Sequence, residues 1–208
     1  MSLNRLRWVI LGVGVVAAVA AAGFVFAPRP AVVLHREVSK FQTLVVVEED
    51  GRRCLRFGDG PKALNQTCRT LSRPERVELD YARAIVALSL SLEPFPKRVL
   101  VIGLGGGSIP TGIINAHPDV ELDAVELDPA VVEVAANFFD FQTTRSVHVF
   151  AEDGVAFVER AAKNEEHYDL IVLDAFDEAA MPAPFTTPAF VEQLSRITGE
   201  RGVVIINS

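Results

Sequence analysis

Acidic residues close three successive apolar runs in the second half of the chain. Glu126 ends AVE, Asp153 follows VFAE, and Asp174 ends YDLIVLD with Asp177 three residues further on. A carboxylate at the end of a buried strand accepts hydrogen bonds from hydroxyls and amines, and two of them can hold a cation. Ahead of these acids, RVLVIGLGGGSIP (Arg98–Pro110) ends in a cluster of glycines. Glycines directly after a strand let a ligand approach the backbone without a Cβ in the way.

Two nucleotide patterns compete for the loop. In the dinucleotide fingerprint GxGxxG, Gly103 and Gly105 fit but Ser108 stands in the third place, which disfavours a dehydrogenase. The looser GxGxG of S-adenosylmethionine-type sites fits Gly103, Gly105 and Gly107. A tight strand-to-helix turn with no ligand is the plainer alternative. Glu126 lies about 20 residues past the loop, where an acid can accept bonds from ribose hydroxyls. Its plainer alternative is a solvated charge at a strand end. Asp128 is best explained as a helix N-cap. Asp153 either accepts a bond from an exocyclic amine such as that of adenine or caps the helix that follows. Asp174 and Asp177, spaced D-x-x-D, can face a cationic amine together, although Asp177 could equally be an exposed loop acid.

The elements that must hold these residues are readable from the apolar pattern. Phe41–Val47 and Arg52–Phe57 are strand-like around Asp50-Gly51, a strong hairpin dipeptide. Residues 35–70 thus form a small antiparallel β-hairpin domain. Arg76–Leu92 has helical spacing within a linker that runs over 71–96. From Lys97 strands alternate with helices: strands at Arg98–Ile102, Glu121–Leu127, Val147–Phe150, Tyr168–Leu173 and Gly202–Asn207, helices at Pro110–Ala116, from Pro129 to about Phe139, at Val155–Ala162 and from Thr187-Pro188. That alternation predicts an α/β fold, a Rossmann-like doubly wound parallel sheet of the S-adenosylmethionine-dependent methyltransferase type, over 97–208. The expected sheet is short at its C-terminal end, because such transferase domains normally add further strands.

The chain has 208 residues, half of them hydrophobic, and a formal net charge of −7. An acidic chain is a poor match for a phosphate backbone, so nucleic acid is not an expected partner. The balance is compatible with a cationic substrate. His35, His117, His148 and His167 are scattered and no metal-ligand spacing occurs, so no metal is expected. Cys54 and Cys68 could form a disulfide facing an oxidising space or remain two thiols in a reducing one.

The N-terminus differs in kind. Trp8–Ala27 is an uncharged apolar run after Arg5 and Arg7. As a helix it would span about 30 Å, the thickness of a bilayer core. Residues 1–30 are therefore expected to be a single-pass anchor in the cell membrane, preceding the small β unit. A signal peptide is the alternative, with typical cores shorter than this one. Arg29, Arg36 and Lys40 follow the run closely, so charge leaves the orientation open.

From about Ser39 to Ser208 the chain resembles the spermidine synthase (polyamine aminopropyltransferase) family, including its membrane-linked bacterial branch. SKFQTLVVVEEDGRRCLRF resembles the family's opening hairpin and its SxYQ start, with Phe41 for the tyrosine. ERVELDY, VELDP, AEDG and YDLIVLDAFD resemble its later motifs. The resemblance implies that Gln42 contacts the nucleoside, Glu126 binds ribose and Asp153 binds adenine. It implies that Tyr81 lies in the substrate site, Asp174 is the catalytic acid–base residue and Asp177 helps to hold a polyamine. The co-substrate it implies is decarboxylated S-adenosylmethionine, with a polyamine such as putrescine as acceptor. Two positions depart from the family: Gly106 stands where its GGGDGG loop carries an aspartate, and Ala82 stands where glutamine is usual.

The leading expectation is a spermidine synthase-like aminopropyl transfer. The alternatives are a methyltransferase using intact S-adenosylmethionine, favoured by Gly106, and a nucleoside-binding or interaction module without catalysis. The oligomeric state is open, a homodimer included.

Overall fold

The computed structural model describes residues 31–60, 63–175 and 181–207. The expected anchor, Trp8–Ala27, and the expected polyamine ligand Asp177 lie outside them. Among the described residues no helix is long and apolar enough to cross a membrane.

Two sheets make up the described chain. The first is antiparallel, with four strands in sequence order: β1 (Val32–Val38), β2 (Thr43–Glu49), β3 (Arg52–Phe57) and β4 (Asn65–Thr70). The Asp50-Gly51 hairpin joins β2 to β3, as its dipeptide predicts, with both residues at positive φ. The two outer strands were not individually legible. β4 reads NQTCRT, too polar to signal a strand, and is ordered by pairing with β3. In that pairing Cys54 stands opposite Cys68, and the two form a disulfide with their Cα atoms 4.1 Å apart.

The second sheet is wholly parallel. It contains β5 (Arg98–Ile102), β6 (Glu121–Glu126), β7 (Val147–Ala151), β8 (Tyr168–Leu173) and β9 (Thr198–Ile206), in the spatial order β7-β6-β5-β8-β9. The helices are α1 (Asp80–Leu90), α2 (Ser108–Ala116), α3 (Pro129–Phe139), α4 (Gly154–Lys163) and α5 (Pro188–Ile197). This is the Rossmann-like α/β fold expected. Helix α1 begins at Asp80 and not at Arg76, because residues 71–79 form turns around Pro74. β9 begins at Thr198, four residues before the apolar run, with a register irregularity against β8.

The two middle strands β5 and β8 are largely apolar because both their faces are covered. Val99, Val101, Leu170 and Val172 pack towards α1 and α2, through Ile85, Ile109 and Ile113. Leu100, Ile102, Ile171 and Leu173 pack on the other side towards α4 and α5, through Phe157, Phe190 and Ile197. Helix α3 joins the two sheets. Its Val131, Val134 and Phe139 bury Leu44, Val46 and Leu55 of the antiparallel sheet, while Ala135 faces the parallel one. Removal of such side chains from water is the main favourable term holding the two sheets together.

The winding of the chain reverses beside β5. From there β6 and β7 are laid down on one side, and β8 and β9 on the other. In open α/β sheets that reversal leaves a crevice at the carboxyl ends of the two adjacent strands. Here those ends carry the glycine loop and Asp174.

Candidate active site

The glycine loop is pinned from three sides. Gly103 N–H donates to Val125 O of β6 and Asp174 N–H to Ile102 O of β5, each at 2.8 Å. Strand ends β5, β6 and β8 are thereby drawn together. Gly103 has φ +97°, and a Cβ placed on it would stand 2.1 Å from the Asp174 carbonyl oxygen. Only glycine allows the two backbones to pass so closely.

Glu126 lies beneath the loop. Its Oε2 accepts from Leu104 N–H at 3.0 Å and from Gly105 N–H at 3.4 Å, and its Oε1 accepts from Asp128 N–H at 3.1 Å. Enclosure pushes its carboxyl above the ordinary glutamate range, and these backbone donors oppose the rise. Glu126 is therefore no loosely solvated strand end. Gly107 is the N-cap of α2, in the left-handed region, where a residue with a Cβ would be strained.

Asp128 caps α3 as its sequence position suggests, accepting from Ala130 N–H at 3.0 Å, with Pro129 in the first turn. It also receives the Ser39 hydroxyl. Ser39 in turn accepts from Phe41 N–H and Gln42 N–H, at 3.0 and 3.1 Å. One serine thus ties the β1–β2 turn, with Gln42, to the start of α3. A groove of about 480 Å³ opens beside this junction, lined by Ser39, Lys40, Phe41, Leu127, Asp128 and Glu133. Asp153 caps α4, accepting from Ala156 N–H at 2.9 Å, so its carboxylate already has the structural role that the sequence left as one of two.

Asp174 is the site's poised group. Its Oδ1 accepts from the Asn207 side-chain amide at 2.8 Å. Burial lifts its pKa to about 6; the Asn207 hydrogen bond opposes the rise and the Glu126 charge adds to it. Burial pushes the phenol of Tyr81, on the first turn of α1, well above the usual tyrosine range, and the Asp174 charge adds to the rise. The Tyr81 hydroxyl donates to Gln66 O of β4 at 3.2 Å, fixing the ring between the two sheets. At neutral pH the site therefore presents an ionised, partly desolvated carboxylate beside a neutral phenol. Such a carboxylate can hold an ammonium by its charge, or accept a proton from it and leave a neutral amine.

Comparison with known proteins gives the family. Residues 78–208 match the spermine/spermidine synthase domain, well over half of the chain. The chain belongs to the spermine/spermidine synthase family. It is 33% identical over 177 residues to a polyamine aminopropyltransferase of Vibrio vulnificus, covering 85% of this chain and 59% of that one. Among solved structures, spermidine synthase from Thermotoga maritima superposes with a TM-score of 0.62 at 22% identity, over 83% of this chain and 55% of its own. Human methyltransferase-like protein 13 in complex with SAH superposes with a TM-score of 0.56 at 29% identity, over 61% and 64%. The chain thus spans less than two thirds of the length of each of these relatives.

Three neighbours of the site had no assigned role in the sequence. Asn207 holds Asp174, and Ser39 holds the turn at Gln42, although Ser39 begins the quoted SxYQ-like motif. Thr67, in the polar strand β4, accepts from Gly106 N–H at 2.9 Å. Among the described residues no group of three His, Cys, Asp or Glu side chains is arranged to hold a metal ion.

Proposed function

We propose that the chain transfers an aminopropyl group from decarboxylated S-adenosylmethionine to a polyamine such as putrescine. The observation that carries this reading is the Asp174 carboxylate, poised near neutrality at the strand-order reversal beside the glycine loop and Tyr81. Glu126 under the loop is suited to the ribose, and Gln42 on its tethered turn to the nucleoside. The residual likeness to the Vibrio vulnificus aminopropyltransferase extends through the antiparallel sheet, which supports a shared site and not only a shared core.

In this mechanism a neutral amine nitrogen attacks the methylene beside the sulfonium. The carbon–nitrogen bond forms as the carbon–sulfur bond breaks, and its electron pair leaves on sulfur as a neutral thioether. The proton shed by the amine passes to Asp174. A carboxylate lifted to about 6 is a better proton acceptor than an ordinary aspartate. Tyr81 limits where the amine can sit, and alignment of the two reactants contributes much of the acceleration. Asp177 and the acidic balance of the chain would recruit the acceptor's remaining charges.

A second reading is methyl transfer from intact S-adenosylmethionine. It is favoured by Gly106, which leaves the loop without the acid that an isolated ammonium would need, and by the 29% identical neighbour in complex with SAH. Calorimetric titration of the full chain with decarboxylated S-adenosylmethionine, the intact form and methylthioadenosine separates the readings. Preference for the decarboxylated form, with aminopropylated putrescine as product, supports the first. Preference for the intact form replaces it with the second, and binding of none leaves a non-catalytic module.

The membrane is proposed as the site of action, through Trp8–Ala27. What supports this is the length of the run and its freedom from charge. Retention of the chain in alkali-washed membranes is the expected result, and release into the wash would overturn it.

A further inference from the structure

We propose that Asn207 is a positioning residue for the reaction, holding one oxygen of Asp174 so that the other is presented to the substrate amine. This rests on the reading of Asp174 as the proton acceptor.

Asn207 lies just past β9, the neighbour of β8 at the sheet's edge, 33 residues from Asp174 in the chain. Its backbone N–H donates to Leu173 O at 3.0 Å, which fixes its Cα beside the residue that precedes Asp174. From there its side-chain nitrogen reaches Asp174 Oδ1 at 2.8 Å. The amide must present its NH₂ group, since an ionised carboxylate only accepts. A rotating carboxylate could offer either oxygen in many directions. One held through Oδ1 keeps Oδ2 along a single line, as orientation effects in catalysis require. The Asn207 donor is neutral, so it favours the ionised carboxylate without adding a charge that would repel a cationic acceptor.

The titratable groups that act on Asp174 among the described residues are Tyr81 from α1 and Glu126 from β6. Tyr81 stays neutral across the working range. Glu126 and burial both push Asp174 towards protonation, and Asn207 is the partner that opposes them. Without it, Asp174 would carry a proton over more of the range in which an amine must lose one. The transfer step then loses its acceptor: the proton leaving nitrogen has no vacant Oδ2 to receive it while the carbon–sulfur bond breaks.

The test is a titration of Asp174 in the full chain, by carbon NMR with labelled aspartate carboxyls, the signal being assigned by its absence in Asp174→Asn. In the unsubstituted protein the midpoint is expected near 6. Asn207→Leu should move it up by roughly one pH unit, the size of a lost hydrogen bond to a charge. Asn207→Asp, nearly the same shape, should move it further up, because two adjacent carboxylates must share a proton. The acid limb of the rate against pH should move with the midpoint, while methylthioadenosine affinity stays within about threefold. A purely structural role predicts a lower melting temperature with an unmoved midpoint, and that result overturns the proposal. The titration is read in the protein itself. A midpoint that moves as expected in a chain showing no aminopropyl transfer would overturn the proposed function and leave the Asn207–Asp174 pairing standing.

Discussion

Thr67 occupies the space that a side chain at Gly106 would need. Its Oγ1 accepts the Gly106 N–H at 2.9 Å, and a Cβ added to Gly106 would lie 2.6 Å from its methyl carbon and 3.1 Å from the Phe139 ring. The departure from the family's loop aspartate is thus matched by a second residue from another sheet. Loop and strand fit each other as a pair.

Gly106→Asp alone should therefore not restore the family's loop. We expect it to destabilise the chain by about 1–3 kcal/mol, as overpacking does. Joining it to Thr67→Gly, which removes both clashing Thr67 carbons, should recover part of the melting temperature and raise affinity for decarboxylated over intact S-adenosylmethionine. Thermal unfolding and calorimetry on the single and double variants measure this. A fully stable Gly106→Asp would show that β4 yields easily and that the pairing has no steric meaning.

Asp174 couples activity to stability through its pKa. Its folded value, about 6, lies above the ordinary 3.8, so protonation favours the folded state. That contribution is complete below about 3.8 and lost as pH rises through about 6. Asp174→Asn mimics the protonated form. It should melt higher than the parent at pH 7.5, with the advantage vanishing near pH 4. Transfer should fall by about 10²–10⁴ while nucleoside binding persists. In the parent, the rate should rise with pH through about 6. Transfer that survives Asp174→Asn would remove Asp174 from the mechanism.

Gly103→Ala tests the close passage of two strand ends. With a Cβ 2.1 Å from a backbone oxygen, no rotation of a side chain relieves the clash. Loss of more than 3 kcal/mol is expected, together with loss of nucleoside binding, because β5 and β8 must separate. Denaturant melts compared with a Gly60→Ala control, where a Cβ meets nothing within 4 Å, provide the scale. Equal midpoints for the two variants would count against the geometry of the loop.

The Cys54–Cys68 disulfide closes a short loop, with a sequence separation of 14. Reduction should cost about 3 kcal/mol of stability. Its presence in cells also reports the compartment, since such bonds persist in oxidising spaces. Chains alkylated in intact membranes and then denatured without reductant should show no free thiol. Two alkylated cysteines would put the domain in a reducing compartment.

Much of this fold is legible in the sequence. Apolar runs that stop at glycine or at an acid mark β5 and β8, because strands covered on both faces are largely apolar. The cap Asp128 is readable because capping is local, a bond to an amide two residues on, whereas for Asp153 the sequence leaves a cap and an adenine contact both open and the structure shows the cap bond. β4 is not legible in the sequence because its order comes from pairing with β3, and its own residues are mostly polar.

What only the tertiary structure decided is which strand ends meet. The alternation of strands and helices dictates a parallel sheet but not its order, and the order β7-β6-β5-β8-β9 is what sets Gly103 against Asp174. Asn207 joins Asp174 from 33 residues away and Thr67 joins Gly106 from 39, through strands whose local patterns contain no trace of the partner. Local sequence sets backbone preference and burial. The partners that tune a carboxylate or fill the space over a glycine are chosen by how the sheets pack, and packing sums the preferences of the whole chain.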